Sequence, residues 1–303
     1  MTESAPARCG YVALIGAPNS GKSTLLNALV GAKVSIVSPK VQTTRRRILG
    51  IAVHEQTQII FVDTPGIFAP RPGRRLERAM VSAAWTGAED ADLVVLLVDV
   101  TRPDDADTRG IVERLKAAGR KAVLALNKID LVERPILLAL AARFAKDGIF
   151  DEVFMISGLT GDGVEDLKRH LVGAMPEGAW LYPADQLSDL PQRLIAAEVT
   201  REQIFLQLHD ELPYSSTVET DKWEERADGS VRIDQTVFVQ RPSQKAIVLG
   251  ERGQQIKRIG ARARAELEQL FGRRVHLFLF VRVEKGWTED RERYEAIGLD
   301  FEN

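Results

Sequence analysis

The sequence predicts an α/β protein in which a mostly parallel sheet is followed by a smaller α+β domain. Between residue 11 and about residue 175, runs rich in Val, Ile and Leu alternate with helical patterns, which is the periodicity of a parallel sheet covered by helices. Beyond residue 191 the pattern becomes helix, strand, strand, helix, strand, which is typical of a compact α+β unit. A chain of 303 residues also has room for about two domains.

Six strands are expected in the first domain. The second and third are separated only by residues 54–57 and therefore favour an antiparallel hairpin. The remaining strands are separated by helical patterns and favour parallel pairing. Ligands of such sheets bind beyond the carboxyl ends of the strands. The predicted strands are Tyr11–Ile15, Ile48–Val53, Gln58–Val62, Leu93–Val98, Ala122–Leu126 and Glu152–Ile156.

The α/β pattern is interrupted between residues 176 and 183 by two prolines and a glycine. The polar stretch that follows is typical of a connection between domains. We therefore expect a first domain over residues 1–175, a linker over 176–191 and a second domain over 192–303.

The second domain is expected to contain two helices and three strands. Its first two strands favour a hairpin, because the Asp-Gly pair at 228–229 is typical of a tight turn. The β-branched content of residues 246–249 alone predicts a further strand. The expected elements are a helix over 192–211, strands over 216–224 and 231–239, a helix over 254–270 and a strand over 275–283.

Composition and charge exclude several classes of protein. Hydrophobic residues make up 45% of the chain and charged residues 28%, as in ordinary globular proteins. The longest apolar run, Leu93–Val98, is far shorter than the ~18 residues of a membrane span. A single cysteine, Cys9, excludes an internal disulfide and favours a reducing cytoplasm. The net charge is −2, yet residues 241–285 contain 11 Lys or Arg against 4 Asp or Glu, which predicts a local basic surface.

A glycine-rich segment at residues 16–23 has the pattern of a phosphate-binding loop. It follows a predicted strand and precedes a helical pattern, so its backbone N–H groups can surround phosphate oxygens. Lys22 is predicted to contact the β and γ phosphates, and the Ser23 hydroxyl to bind Mg²⁺. The pattern alone also occurs in ATPases and kinases. The predicted contacts are Gly16, Ala17, Pro18, Asn19, Ser20, Gly21, Lys22, Ser23 and Thr24.

Three further segments follow in an order that is typical of a guanine-nucleotide switch. In Asp63-Thr64-Pro65-Gly66, the Asp is a predicted partner of Mg²⁺ and the Gly N–H a donor to the γ phosphate. In Asn127-Lys128-Ile129-Asp130, the carboxylate of Asp130 can accept from both the N1–H and the amino group of guanine, a donor pair that adenine lacks. Ser157-Gly158-Leu159 can bring a backbone N–H to the base. The predicted contacts are Asp63, Gly66, Asn127, Lys128, Asp130, Ser157, Gly158 and Leu159.

Together these segments resemble the Era family of GTPases over nearly the whole chain. The resemblance includes Pro18-Asn19, the first-switch sequence Val41-Gln42-Thr43-Thr44-Arg45, the second switch at 63–66, and Glu211-Leu212-Pro213-Tyr214. It extends to Gly250-Glu251-Arg252-Gly253, which is similar to the GxxG loop of the KH domain that Era proteins carry. The resemblance implies a P-loop GTPase domain followed by a type II KH domain, with a short helix rather than a strand before the loop. Gly158 departs from the alanine that is usual in the family.

The resemblance also implies the partners of the chain. These are GTP, GDP and Mg²⁺, together with the 3′ end region of small-subunit ribosomal RNA and the small ribosomal subunit during its assembly; DNA is not among them. The implied location is the cytoplasm, and peripheral contact with membranes is reported for the family. A KH groove would clamp about four nucleotides. The implied RNA contacts are Gly250, Arg252, Gly253, Gln254, Lys257, Arg258 and Arg262.

The implied site lacks the glutamine side chain that orients the attacking water in many GTPases. Many GTPases orient the attacking water with a Gln directly after the DxxG glycine, but here that residue is Ile67, which cannot form hydrogen bonds. Asn19 occupies a position at which related GTPases bind K⁺. The implied catalytic residues are Lys22, Thr44, Asp63 and Gly66, with Mg²⁺ held by Ser23 and Thr44 and with Asp63 behind it; Thr43 is the alternative to Thr44.

Two other functions remain open from the residues themselves. One is a metabolic enzyme that uses a nucleoside triphosphate and carries an accessory domain; Asn127 and Asp130 argue against it. The other is an RNA-binding adaptor with an inactive GTPase domain. Turnover of GTP in the presence of Mg²⁺ distinguishes these alternatives.

Overall fold

The chain forms two compact units. The computed structural model describes residues 6–41, 43–210, 212–287, 290–291, 294 and 299–301. The first unit comprises the described residues of 1–35, 44–189 and 294–303, and the second those of 36–43 and 190–293.

A six-stranded sheet forms the centre of the first unit, in the order β2-β3-β1-β4-β5-β6. The β2 and β3 strands form an antiparallel hairpin, and the other neighbouring strands pair in parallel, which confirms the predicted topology. Residues 94–98 are fully buried, because a parallel strand is covered on both faces and needs a continuous apolar run. The strands are β1 (Arg8–Ile15), β2 (Ile48–His54), β3 (Thr57–Asp63), β4 (Leu93–Asp99), β5 (Ala122–Asn127) and β6 (Phe150–Ile156).

Among the residues that the structure describes, five helices cover this sheet. The largest core cluster joins buried residues of the parallel strands, such as Leu96 and Leu124, to helical residues such as Trp85 and Ile111. The helices are α1 (Lys22–Val30), α2 (Arg75–Asp90), α3 (Ala106–Ala117), α4 (Arg134–Ala145) and α5 (Val164–Ala174). No helix among the described residues is both long and apolar enough to cross a bilayer.

Of the expected linker over 176–191, residues 176–189 belong to the first unit and residues 190–191 to the second. Glu177 forms a β-bridge with Arg8, and Ser188 forms one with Gly50. The side-chain oxygen of Gln58 accepts hydrogen bonds from the backbone N–H groups of residues 181 and 182. The predicted domain boundaries remain a prediction.

The second unit has a three-stranded sheet in the order β7-β8-β9. The β7 and β8 strands are antiparallel, and β9 is parallel to β8. Apolar residues from one sheet face and from the helices form its core, among them Val237, Ile259 and Val281. The elements are α6 (Gln192–Gln207), β7 (Ser216–Glu225), β8 (Val231–Val239), α7 (Pro242–Leu249), α8 (Gln254–Phe271) and β9 (Val275–Val283).

Two details of the second unit differ from the sequence pattern. Residues 246–249 belong to a helix, as the family resemblance implies and contrary to their β-branched content. The helix begins with Pro242 at its first turn, and the side-chain oxygen of Gln244 accepts from the backbone N–H of Arg241 at 3.0 Å. These start signals outweigh propensity. The preceding helix, α6, ends at Gln207, earlier than the predicted end at Glu211, which lies outside the described residues.

Candidate functional site

The phosphate-loop segment joins β1 to α1 at the carboxyl edge of the sheet. Its glycines are required by close approach. At Gly16 a Cβ would lie 2.5 Å from the carbonyl oxygen of Leu97, and at Gly21 it would lie 2.2 Å from Nδ2 of Asn127. Both glycines also have positive φ, which side chains disfavour. The loop therefore packs tightly while its amide groups precede the N-terminus of α1, where anions bind favourably.

Lys22 is buried within this loop. Its Nζ donates to the carbonyl oxygens of Gly16 and Ala17, each at 3.0 Å. Burial lowers the pKa of Lys22 to about 8, and the negative charge of Asp63 opposes that shift. A buried ammonium group whose hydrogen bonds go to neutral oxygens is poorly compensated, so an anionic phosphate is a suitable partner for it.

Four polar side chains converge beside Lys22. Oδ2 of Asp63 accepts from the Ser23 hydroxyl at 2.7 Å and from the Ser35 hydroxyl at 2.9 Å. Oγ1 of Thr44 lies 2.8 Å from Oγ of Ser23 and 3.4 Å from Oδ2 of Asp63. Burial raises the pKa of Asp63, while these hydroxyl groups and the charge of Lys22 lower it.

This cluster has the chemistry of a magnesium site. Oδ1 of Asp63 is buried and has no hydrogen-bond partner in the described part of the chain. An orphaned carboxylate oxygen is costly, and hydroxyl and carboxylate oxygens are ligands that Mg²⁺ prefers. The side chains present therefore fit a hard divalent cation.

The two threonines of the first switch have different surroundings. Thr44 faces Ser23 and Asp63, whereas Oγ1 of Thr43 bonds with Oγ of Ser38 at 2.6 Å and with the carbonyl oxygen of Lys40 at 2.7 Å. This geometry favours Thr44 over Thr43 as the metal ligand. The neighbouring Gln42, part of the predicted switch, lies outside the described residues.

The second switch packs directly against the phosphate loop. A Cβ at Gly66 would lie 2.9 Å from Cα of Pro18, so only glycine fits there without a shift. The backbone N–H of Ile67 donates to the carbonyl oxygen of Gly16 at 3.1 Å. The Ile67 side chain is buried in the main core cluster and consequently cannot orient a water molecule.

Asn127 connects two of the predicted nucleotide segments. Its Nδ2 donates to the carbonyl oxygen of Ser20 at 2.7 Å, and its Oδ1 accepts from the N–H of Gly158 at 3.0 Å. Asp130 lies in a short 3₁₀ turn and is exposed. Leu159 is 81% exposed. The structure thus brings together the phosphate loop, the Asn-Lys-Ile-Asp segment and the Ser-Gly-Leu segment, with the Asp130 carboxylate open to solvent.

The GxxG loop of the second unit is shaped by its two glycines. Gly250 has φ 71° and ψ 177°, a conformation that is essentially restricted to glycine, and a Cβ there would lie 2.6 Å from Cβ of Gln255. Gly253 has φ 77°, and no atom lies within 4 Å of the position that its Cβ would take. The loop is therefore fixed at Gly250 and open at Gly253, where α8 begins.

Positive side chains follow the open end of this loop. Arg252 is exposed, and α8 continues with exposed basic residues on successive turns. The N-terminus of a helix favours an anion through its free N–H groups and its dipole. The carboxylate of Glu251, which is also exposed, lies within the loop. The exposed members of the predicted RNA set are Arg252, Gln254, Lys257, Arg258 and Arg262.

Comparisons with known proteins match both parts of the chain. A family model described as "50S ribosome-binding GTPase" matches residues 11–128, and a KH domain model matches residues 211–288. GTPase Era of Agrobacterium fabrum is 57% identical over 98% of this chain and 93% of its own length. GTPase Era of Rhizobium meliloti is 58% identical over 98% of this chain and 94% of its own length. The chain belongs to the Era family of GTPases.

Solved structures of Era proteins share this fold. An Era variant of Aquifex aeolicus bound to GDP and AlF₄⁻ is 37% identical, with a TM-score of 0.91 over 96% of this chain and 99% of that chain. An Era complex with MgGDPNP and nucleotides 1506–1542 of 16S ribosomal RNA gives the same identity, TM-score and coverage. These matches confirm the predicted combination of a P-loop GTPase domain and a KH domain in this Era-family GTPase.

Two residues near the nucleotide site, Ser35 and Asp99, belong to none of the recognised motifs and were not predicted from the sequence. Ser35 donates to Asp63, as described above. Asp99 ends β4 and accepts from Nζ of Lys128 at 2.6 Å, which positions the Lys128 side chain; the Lys128 backbone is left-handed, with φ 69°. Desolvation raises the pKa of Asp99, but bonds from Lys128 and Thr101 outweigh it, so the net pKa is lowered. The position of Asp99 at a strand end was the only available signal.

Gly158, the departure from the family pattern in this Era-family chain, lies in a crowded position. A Cβ would be 3.3 Å from both Cα and N of Leu25, which is tight but not prohibitive. Glycine at this position therefore relieves crowding against α1 and is not required by the backbone conformation.

Proposed function

We propose that this chain binds GTP with Mg²⁺ at the phosphate-loop site, hydrolyses it, and uses its KH domain to bind the 3′ end region of small-subunit ribosomal RNA during assembly of the small ribosomal subunit. The observation that carries the nucleotide part is the convergence of Ser23, Thr44 and Asp63 around an unpartnered carboxylate oxygen beside Lys22. The Era complex with 16S ribosomal RNA supports the RNA part. A cytoplasmic location follows, since small subunits are assembled there; peripheral membrane contact remains a prediction.

The roles of the residues follow from their chemistry. Ser23 and Thr44 would hold Mg²⁺, with Asp63 behind it. When bound, the metal neutralises negative charge on the β and γ phosphates. Lys22 would exchange its carbonyl partners for phosphate oxygens, and the Gly66 N–H would donate to the γ phosphate.

Base selection depends on Asp130 and on the two hydrogen bonds by which Asn127 connects the phosphate loop to the Gly158 loop. The carboxylate of Asp130 is exposed and ready to accept from guanine. Asn127 holds the phosphate loop and the Gly158 loop in fixed relation, so that the base and the phosphates are positioned together. Lys128, fixed by Asp99, and Leu159 would flank the base.

The absence of a water-orienting Gln suggests a cation as the additional catalytic group. Asn19, which has φ 64° within the phosphate loop, is the residue beside which this cation would bind. The cation would replace part of the positive charge of an arginine finger, which contributes ~10³ to 10⁵ in rate. We expect K⁺ to stimulate turnover and Na⁺ not to, with Asn19→Ala insensitive to K⁺. Steady-state phosphate release in matched KCl and NaCl buffers measures this. Equal rates in both salts for the native protein would contradict it.

The RNA contact is tested with a pair of glycine variants. Gly253→Asp places a second carboxylate beside Glu251 at the open end of the GxxG loop and should abolish binding of a 16S 3′-end oligonucleotide. Gly272→Asp is the matched control: Gly272 also has positive φ, also has nothing within 4 Å of a Cβ, and lies at the opposite end of α8. Equal affinity of the two variants would contradict the proposed contact.

Turnover decides between this function and its alternatives. Hydrolysis of GTP but not ATP by the purified chain with Mg²⁺ is expected. Turnover that requires a second small-molecule substrate would favour a metabolic enzyme. RNA binding without any turnover would favour the adaptor. Sequencing of RNA crosslinked to the protein in cells should show enrichment of the small-subunit 3′ end.

A further inference from the structure

The outer face of β9 presents two exposed phenylalanines. Residues 275, 277, 279 and 281 pack into the core of the second unit, so the alternating residues point to the opposite face of the sheet. There Phe278 is 45% exposed and Phe280 is 52% exposed. Exposed large aromatic rings side by side on one strand are typical of a recognition surface. We call the four outward residues His276, Phe278, Phe280 and Arg282 the β9 outer face.

Positive charge flanks these rings. Arg282, two residues beyond Phe280, is exposed and has no ion pair in the described part of the chain. On the neighbouring strand, the Arg232 guanidinium lies 4.8 Å from the ring centroid of Phe278 and bonds with Asp234 at 2.9 and 3.0 Å. The charge of Arg232 is thus shared with Asp234, which is the register partner of Phe278. Arg282 is the group on this strand that offers its positive charge to a phosphate, and the two rings offer flat surfaces on which bases can stack.

Negative charge lies on the far side of the same sheet. The β7 strand contains four acidic residues and one lysine, Lys222, which pairs with Glu224 at 2.6 Å, and β8 separates β7 from β9. A polyanion would consequently follow β9 instead of covering the whole sheet. Two side chains on one face of a strand are separated by about 7 Å, so each ring can stack one base of an extended single strand.

We propose that the β9 outer face is a second contact surface for single-stranded RNA, on which two bases stack on Phe278 and Phe280 while Arg282 contacts the phosphate backbone. Sheet-borne aromatic residues bind bases in this way in other RNA-binding modules. The proposal rests on the proposed RNA function. It extends the contact beyond the nucleotides at the GxxG loop, because α8 packs against the opposite face of β9, where Gly260 approaches Leu279.

Charge complementarity favours RNA over a lipid surface. An anionic membrane is flat and would cover β7 together with β9, bringing the net negative charge of the β7 strand towards like charge. A single strand is narrow enough to avoid them. The rings also lie on a sheet face and not at the tip of a protruding loop.

The test uses the full chain, two RNA lengths and two pairs of substitutions. Phe278→Leu with Phe280→Leu keeps apolar surface but removes the aromatic rings; Phe278→Tyr with Phe280→Tyr keeps the rings. The probes are labelled oligonucleotides from the 16S 3′ end, one of about four nucleotides, enough for a KH groove, and one of about nine. Circular dichroism verifies folding of both variants.

We expect the leucine pair to weaken binding of the longer oligonucleotide by about tenfold or more, because stacking on an aromatic ring contributes substantially for each base. Binding of the shorter one should not change, and the tyrosine pair should bind both like the native protein. Unchanged affinity of the leucine pair for the longer oligonucleotide would overturn the proposal.

Other outcomes separate this inference from the proposed KH contact. If Gly253→Asp abolishes binding of both oligonucleotides while the leucine pair changes neither, the KH contact stands and the β9 outer face is excluded. If the native protein fails to bind the shorter oligonucleotide, the KH contact is wrong, and the longer one still tests the outer face. Native binding to phosphatidylglycerol vesicles that the leucine pair loses, with RNA affinity unchanged, would assign the face to lipid and overturn the proposal.

Discussion

At the scale of single residues, the nucleotide site consists of groups that are poorly satisfied by the protein alone. Lys22 is a buried cation bonded to neutral carbonyl oxygens, and Asp63 has one buried oxygen without a partner among the described residues. Burial lowers the pKa of Lys22 and raises the pKa of Asp63. A phosphate and a divalent cation would compensate both, which explains why groups that the protein alone compensates poorly suit a nucleotide-binding site.

The proposed base contact depends on the carboxylate of one residue, Asp130, and can be tested by a single substitution. Asp130→Asn replaces a carboxylate oxygen by an amide group, which cannot accept from both guanine donors but can donate to the C2 oxygen of xanthine. We expect weaker binding of GTP and a shift of preference towards xanthosine triphosphate. Competition titration against a fluorescent nucleotide measures it, with Asp185→Asn, an exposed aspartate outside the predicted nucleotide segments, as control. Unchanged selectivity would exclude Asp130 from the base contact.

The residue scale also shows what the sequence could not predict. The metal-site residues Ser23 and Asp63 stand in short motifs whose chemistry is legible without coordinates. Ser35 reaches Asp63 across 28 positions of sequence, and Asp99 fixes Lys128 across 29. A lone serine or a strand-end aspartate has many ordinary explanations, so only the folded chain assigns these contacts.

At the scale of elements, the strands were predictable because parallel strands need long apolar runs, while their ends were less so. The β1 strand begins at Arg8, three residues before the apolar run at Tyr11, because its backbone pairs with β3 from Thr57 onward regardless of side-chain polarity. The α7 helix shows the reverse case, in which capping and a first-turn proline outweigh β-branched content.

The two glycines of the GxxG loop should differ in their importance for folding. Gly250→Ala forces a side chain into a glycine-only conformation against Gln255 and should lower the free energy of unfolding by about 3 kcal/mol. Gly253→Ala meets no atom within 4 Å and should cost only about 1 kcal/mol, the penalty of a left-handed residue. Denaturant unfolding of the two variants measures the difference. Equal losses would show that the loop relaxes around residue 250.

At the scale of the whole molecule, the first switch is divided between the two units. Residues 36–43 group with the second unit, and Thr44 with the first. Within the second unit, Glu202 accepts from the N–H of Val37 at 2.7 Å, and Nζ of Lys40 donates to the carbonyl oxygens of Phe205 and Leu208 at the end of α6. Thr44 is the residue expected to respond to Mg²⁺ and the γ phosphate. The covalent continuity of this segment therefore provides a route for coupling nucleotide state to the RNA-binding unit.

Such coupling must be reciprocal. If RNA affinity depends on the nucleotide, then RNA changes nucleotide affinity by the same factor. We expect the form bound to a nonhydrolysable GTP analogue to bind the 16S 3′-end oligonucleotide about fivefold or more tightly than the GDP form, within the usual range of coupling. Lys40→Met removes the bonds to the end of α6 and should bring the two affinities towards equality. Lys146→Met, a substitution of an exposed lysine after α4, is the matched control and should keep the native ratio. Titrations of labelled RNA in both nucleotide states measure the ratio for all three proteins.

Identical dissociation constants for the native protein in the two nucleotide states would show that its two units are joined without being coupled. A native ratio in Lys40→Met would mean that any coupling does not pass through this lysine.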